Sequence, residues 1–150
     1  MRFYELLGRL LSPIILSFLS VLSYFRKGVR VRILIRNKQG EILLIKNWIG
    51  KNEWEMPGGG VGKHETPVDA AVRETYEEVG IQFQPAELRQ VATYLGRYET
   101  NVFIATVDSG RLKTVKRRKL EITAMAWHKR EMLPRPLAWN VTRTLLKLSK

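Results

Sequence analysis

The succession of strand-like and helix-like segments predicts an α/β fold, a mixed sheet covered by helices, in a chain of 150 residues. Three observations carry that expectation. Two strand-like segments, the alternating VRVRILIR and the returning EILLIK, flank a short polar turn. A well-capped amphipathic helix follows a glycine-rich loop, and three further strand-like runs precede a terminal helix. The length suits one domain, which buries roughly 70% of its unfolded surface.

The first element is apolar. Leu10 to Phe25, LLSPIILSFLSVLSYF, carries no charge over 16 residues, short of the 18 or more expected of a spanning helix. At 100° per residue Arg2, Glu5, Arg9, Ser12, Ser20 and Ser23 fall within an arc of about 80°. Leu7, Leu11, Ile14, Ile15, Phe18, Val21, Leu22 and Phe25 cover the other side. The pattern predicts an amphipathic N-terminal helix over residues 1–26, interrupted near Pro13, followed by the domain proper at 27–150. Three readings stand open for it: an interfacial helix on an anionic membrane surface reached through residues 1–32, a helix packed on the domain or on a second copy in a homodimer, and a cleaved signal peptide. The absence of an A-x-A site and the charges at Glu5 and Arg9 weigh against the last.

Beyond it, Val29–Arg36 alternates apolar and basic residues and predicts a half-exposed strand. Asn37-Lys38-Gln39-Gly40 is a turn, and Glu41–Lys46 the returning strand of a hairpin. Thr66 is a good N-cap, Pro67 suits the first helical position, and Asp69 sits three residues after the cap. Val68, Ala71, Val72, Thr75 and Val79 form the expected buried stripe, and Gly80 the stop. Strands follow near Leu88–Gly96, Asn101–Asp108 and Ile122–His128. A helix after Pro136 places Leu137, Val141 and Leu145 on one side.

Composition bounds the function. Hydrophobic residues at 45% and charged residues at 27% exclude wholesale disorder and a polytopic membrane protein. The chain has no cysteine, which excludes a disulfide scaffold, a zinc ribbon and thiol catalysis. A reducing compartment is compatible with that, and the expected location is the cytoplasm or the cytoplasmic face of a membrane. The net charge of +12 points to a polyanionic partner: nucleotide, RNA or anionic lipid.

Glu74, Glu77 and Glu78 lie at i, i+3 and i+4 on the helix, centred roughly 130° from the buried stripe, which predicts neighbours on one exposed face. Such like charges cost a few tenths of a kcal/mol per pair, a penalty that a hard divalent cation such as Mg²⁺ would remove. The bland reading is a solvated acidic face.

Residues 59 to 81 read GGVGKHETPVDAAVRETYEEVGI and resemble the Nudix box. Gly59, Glu65, Arg73, Glu74, Glu77, Glu78, Gly80 and Ile81 all fall at its defining positions. Thr75 at a usually apolar position and His64 where many members have glycine depart from it. The resemblance extends over roughly residues 28–148. It implies an α/β/α sandwich with a mixed sheet, and Mg²⁺- or Mn²⁺-dependent hydrolysis of a nucleoside diphosphate linked to another moiety. The moiety could be that of a nucleoside triphosphate, a nucleotide sugar, a capped RNA end or a lipid-linked diphosphate. Carried over by position, Glu77 and Glu78 would be metal ligands, Glu74 a further ligand or the base orienting water, and the Gly58 carbonyl a ligand from the loop. Arg73 would hold Glu65 and the loop–helix geometry. A carboxylate from a later loop often completes such sites; Glu121 is the candidate and Glu99 its rival. The alternative is a non-catalytic Nudix-like nucleotide-binding or regulatory module, although degenerate members of that kind usually lose box carboxylates.

The remaining candidates come from residue type. Arg32 and Lys46 on the hairpin are candidate phosphate contacts, with Arg97 and Tyr98 in a later turn. Trp48, Trp54, Tyr94, Phe103 and Trp127 are candidates for a base-stacking platform, each with a core role as the alternative. Arg111, Lys113 and Lys116–Lys119 form the densest basic cluster, either a solvated loop or a contact for RNA, lipid or the distal end of a substrate. The box carries Lys63 and Arg73 against Glu65, Asp69, Glu74, Glu77 and Glu78, a net −3 set in a remainder of +15. An acidic face in a basic body suits a phosphate chain arriving with its metals.

Overall fold

The structure, a computed structural model, describes residues 28–47, 51–108, 110–111, 115 and 122–149. Its elements are β1 (Val29–Arg36), β2 (Ile42–Asn47), β3 (Trp54–Glu55), α1 (Pro67–Val79), β4 (Arg89–Tyr94), β5 (Glu99–Thr106), β6 (Ile122–His128) and α2 (Trp139–Lys147). Single 3-10 turns stand at Pro85–Glu87 and Arg130–Met132. The expected N-terminal helix, Trp48, Glu121 and most of the 111–119 cluster lie outside the described residues. Among the described residues no helix is long and apolar enough to cross a membrane.

Six strands form one mixed sheet in the order β3-β2-β1-β5-β4, with β6 on the other edge of β2. β1 and β5 run parallel over their full length, from Val29 beside Glu99 to Arg36 beside Thr106. The other pairs are antiparallel. Helices cover both faces. On one side Val31, Ile33, Ile35, Leu43, Ile45 and Phe103 pack on Ala70, Ala71 and Val79 of α1. On the other, Leu34, Ile42, Leu44, Val102 and Ile104 pack on Val141 and Leu145 of α2. The result is the α/β/α sandwich that the box implies.

Two departures from the expected pattern matter for the site. First, β1 is central and largely buried on both faces at Ile33–Ile35, where alternation with arginines predicted a half-exposed strand. Second, the hairpin is real only at its turn. Asn37 Oδ1 accepts from the backbone N–H groups of Gln39 and Glu41, at 3.0 and 2.9 Å. Gly40 takes φ 80°, which suits glycine. Arg36 pairs with Ile42, but farther along β2 the same edge holds β3, through Ile45–Glu55 and Lys46–Trp54. The sheet therefore forks, and β1 finds its partner in the loop after β3. Val31 N–H donates to the Gly59 carbonyl, Ile33 N–H to that of Pro57, and Val61 N–H to that of Val29, all at 2.9 Å. The two-residue β3, absent from the sequence reading, delivers the glycine loop to the edge of β1.

Candidate active site

The site is built where this loop meets α1. Thr66 caps the helix as its sequence predicts: its side chain accepts from the Asp69 N–H, and Pro67 opens the first turn. Gly80 ends it at φ 76°, its N–H donating to the Tyr76 carbonyl. Ala71, Thr75 and Val79 are buried as expected, and the Thr75 hydroxyl donates back to the carbonyls of Ala71 and Val72. That bond satisfies the polar group at the position where the box usually carries an apolar one.

The carboxylates are not on an exposed face. Glu74 and Glu78 are only 2% and 6% exposed, whereas the Glu77 side chain is 41% exposed. The glycine loop makes the difference. A helical wheel describes only contacts within the sheet-packing stripe, and here a second segment folds over the flank of the helix. The Gly58 N–H donates to Glu78 Oε2 at 2.8 Å. Gly58 has φ 141°, and a β-carbon there would overlap the Val31 carbonyl; one on Gly59 would overlap the Glu74 carboxylate. Gly59→Ala should therefore displace Glu74, costing about 1–3 kcal/mol in thermal unfolding and lowering turnover at least tenfold. Gly96→Ala, where an added β-carbon meets nothing within 4 Å, serves as the neutral control.

Arg73 ties the parts together. Its Nε and Nη2 donate to the two oxygens of Glu65 at 2.8 and 2.9 Å, and Nη2 also to the Gly60 carbonyl at 3.0 Å. Nη1 stands between carboxylates, 2.8 Å from Glu74 Oε1 and 3.3 Å from Glu77 Oε2. The hydrogen bond from Arg73 holds the Glu65 carboxyl below its ordinary value, against the effect of burial and with help from the Gly62 N–H. Arg73 thus holds both Glu65 and the loop.

Arg32 does the corresponding work from the strand side. Its Nη1 donates to the Gly58 carbonyl at 2.7 Å, and its Nη2 pairs with Glu55 at 2.8 Å. Glu55 also accepts from Asn47 Nδ2 at 2.7 Å. Through these bonds Arg32, a candidate phosphate contact, braces the loop. The same bond sets a positive charge against the Gly58 carbonyl, the expected loop ligand. Lys46 follows Ile42 and Leu44 in the alternation of β2 and leaves the sheet on the α2 side, its Nζ 5.8 Å from the Trp54 ring centre. The Arg32–Glu55–Asn47 bridge was missed in the sequence; the acidic residue following Trp54 is the one signal that could have suggested it.

Of the other candidates, Tyr94 and Phe103 are core residues at 8% and 4% exposure. Trp54 packs edge-on against His128, 5.0 Å between centres, and burial holds the His128 pKa below its ordinary value. Trp127 is half-buried beside the α1-side core. Tyr98 carries the guanidinium of Arg30 at 4.0 Å and that of Arg97 at 5.6 Å. Arg111, the described basic member of its cluster, grips both oxygens of Glu87, at 2.6 and 3.1 Å, and Asp108 at 3.0 Å. Glu99 accepts from Asn101 Nδ2 at 2.9 Å.

An oxygen-only donor set, two buried carboxylates and a cationic nitrogen already accommodated between Glu74 and Glu77 suit a hard divalent cation. Among the described residues no three acidic or histidine side chains are gathered into a ready-made cage.

Fold and site together define an α/β/α sandwich that presents a loop-gripped, carboxylate-bearing helix. The chain belongs to the NUDIX domain family, whose model matches residues 26–148. The RNA pyrophosphohydrolase of Psychrobacter cryohalolentis is 43% identical over 68 residues, covering 45% of this chain and 39% of that protein. The 8-oxo-dGDP phosphatase of Homo sapiens is 36% identical over 117 residues, covering 75% of this chain and 36% of that protein. Among solved structures, the MutT NUDIX hydrolase from Burkholderia pseudomallei aligns with a TM-score of 0.68 at 28% identity, over 82% of this chain and 98% of that one. The matches span less than half the length of these two curated relatives.

Proposed function

We propose that this chain is a divalent-metal-dependent pyrophosphohydrolase that cleaves the diphosphate linkage of a nucleoside diphosphate derivative. The observation that carries the reading is the burial of Glu74 and Glu78 beneath a loop braced by Arg73 and Arg32. A merely solvated acidic face has no need of such a grip, and a non-catalytic module would be expected to have lost part of the box. Nudix hydrolases generally depend on a divalent metal. In this chain Glu77 and Glu78 would hold Mg²⁺ or Mn²⁺, with Glu74 as further ligand or base and the Gly58 carbonyl, which accepts from Arg32, as a ligand from the loop.

When bound, the metal supplies charge neutralisation on the phosphate oxygens and a lower pKa for coordinated water. The chain's own part is positional. Arg73 fixes Glu74 and the loop, Arg32 fixes Gly58 from the other side, and Glu121, directly before β6, supplies the later carboxylate. Residues 27–150 form the hydrolase domain and residues 1–26 a separate N-terminal segment, in a cytoplasmic protein.

The relatives' names, an RNA pyrophosphohydrolase and an 8-oxo-dGDP phosphatase, support two substrate groups, RNA and an oxidised deoxynucleotide, and their shared chemistry is a nucleoside with a phosphate anhydride. A panel of nucleoside di- and triphosphates, nucleotide sugars, dinucleoside polyphosphates and 5′-triphosphorylated RNA, each with Mg²⁺, Mn²⁺ or chelator, tests the reading. Turnover that needs the metal and stops on chelation is expected for at least one group. Metal-independent turnover, or none on any member, refutes it.

A further inference from the structure

Of the five large apolar residues exposed among the described residues, Tyr76 lies on α1 and the other four lie on or near α2. Leu95, Met132, Leu146 and Trp139 are 82%, 74%, 63% and 55% exposed, the last two on α2 itself. Trp139 and Leu146 are seven positions apart, two turns of one helix face and about 10 Å in rise. The Trp139 ring meets Tyr94, the last residue of β4 and the neighbour of Leu95 in the chain, edge-on at 5.4 Å. At the other end, Met132 adjoins a groove of about 280 Å³ lined by Leu133, Leu145, Leu146, Arg130 and Arg135.

The charge around this stripe is predominantly basic. From Lys129 to Ser149 the basic residues are Lys129, Arg130, Arg135, Arg143 and Lys147, and the one acidic residue is Glu131. Exposed tryptophan and aliphatic side chains set among lysines and arginines suit the boundary between headgroups and acyl chains. α2 lies on the side of the sheet opposite α1, so covering its outer face leaves the carboxylate site open.

The course of the chain points the same way. Val29 pairs with Glu99, and Tyr94 with the next residue, Thr100. The chain therefore enters the sheet at the end where Leu95 and Trp139 lie, directly after the uncharged stretch Leu10–Phe25. If that stretch covered the stripe, it would bring Arg2, Arg9, Arg26 and Lys27 towards five further basic residues, with Glu5 and Glu131 as the acidic partners. Like charges oppose that arrangement. An anionic lipid surface suits both segments at once.

We propose that the α2 face docks on an anionic membrane surface, Leu95, Met132, Trp139 and Leu146 entering the interface and Arg143 and Lys147 meeting headgroups. The catalytic helix then faces away from the bilayer.

Co-sedimentation of the full chain with phosphatidylcholine vesicles, with and without about 30% phosphatidylserine, tests this. Binding is expected only to the anionic vesicles and falls at about 0.5 M salt. Leu95→Ser combined with Leu146→Ser lowers partitioning about tenfold, and Lys147→Glu at least fivefold. All three positions are exposed, so circular dichroism and the melting temperature should be unchanged. Wild-type binding by both variants would place attachment elsewhere in the chain and overturn the proposal. So would absence of vesicle binding, whether with a dimer that the serine variants dissociate or with RNA binding that Lys147→Glu abolishes.

Discussion

Glu77→Gln should leave the fold standing while cutting metal-dependent turnover at least ~10²-fold, since even residues that only support metal ligands are worth 10–100-fold. The substitution keeps shape and removes charge. Glu77 is the one member of the acidic triad with a side chain largely open to solvent, at 41% exposure, and its contact with Arg73 is a long one at 3.3 Å. Losing that pair costs well under 1 kcal/mol, so the melting temperature should move by no more than a degree or two. The paired measurement, turnover with Mn²⁺ and a thermal melt, separates chemistry from folding. Equivalent changes at Glu74 or Glu78 would not, because both are buried and Glu78 anchors Gly58. Retained turnover in Glu77→Gln would remove Glu77 from the metal site.

Arg73→Ala has the opposite profile, with stability falling first. The guanidinium serves Glu65, Glu74, Glu77 and the Gly60 carbonyl together, and the Glu74 side chain is only 3% exposed. Stripping a partner from a buried charge costs about 3 kcal/mol, or roughly 10 °C in melting temperature for a chain of this size. The effect depends on pH with a definite sign. Glu65 is held below its ordinary 4.5, chiefly by the hydrogen bond from Arg73. A depressed carboxyl contributes stability that is present above that ordinary value and lost as pH falls through the folded value. The gap between wild type and Arg73→Ala in urea midpoint should therefore be widest near neutrality and narrow below about pH 4.5. A gap that stays constant with pH would deny Glu65 this role. Arg73→Lys, which keeps charge but not the fork, should recover a minority of the loss.

Much of this was legible before any coordinates. Thr66, Pro67 and Gly80 mark α1 to the residue because caps are local chemistry, and β1 is bounded by its alternation and the turn that follows it. Burial of Glu74 and Glu78 was not legible, since the covering loop approaches from outside the helix. The bracing role of Arg32 was hidden for a related reason. Alternating arginines look like a solvent face unless the strand is known to be central, and its parallel partner β5 lies some 70 residues away in sequence. Two residues of β3 are too few to show a period, although they decide where the glycine loop goes.

The fork in the sheet makes the reactive loop part of the protein's framework. Residues 57–61 are laced to β1 by the amides of Val31, Ile33 and Val61, and β1 is the spine of the fold. Such a loop cannot swing as a lid without tearing out the central strand. In hydrogen exchange these three amides should open only with the whole molecule, at the global unfolding free energy. Local fraying would then offer no route to an inactive but folded population, and inactivation by heat or denaturant should follow the unfolding curve itself.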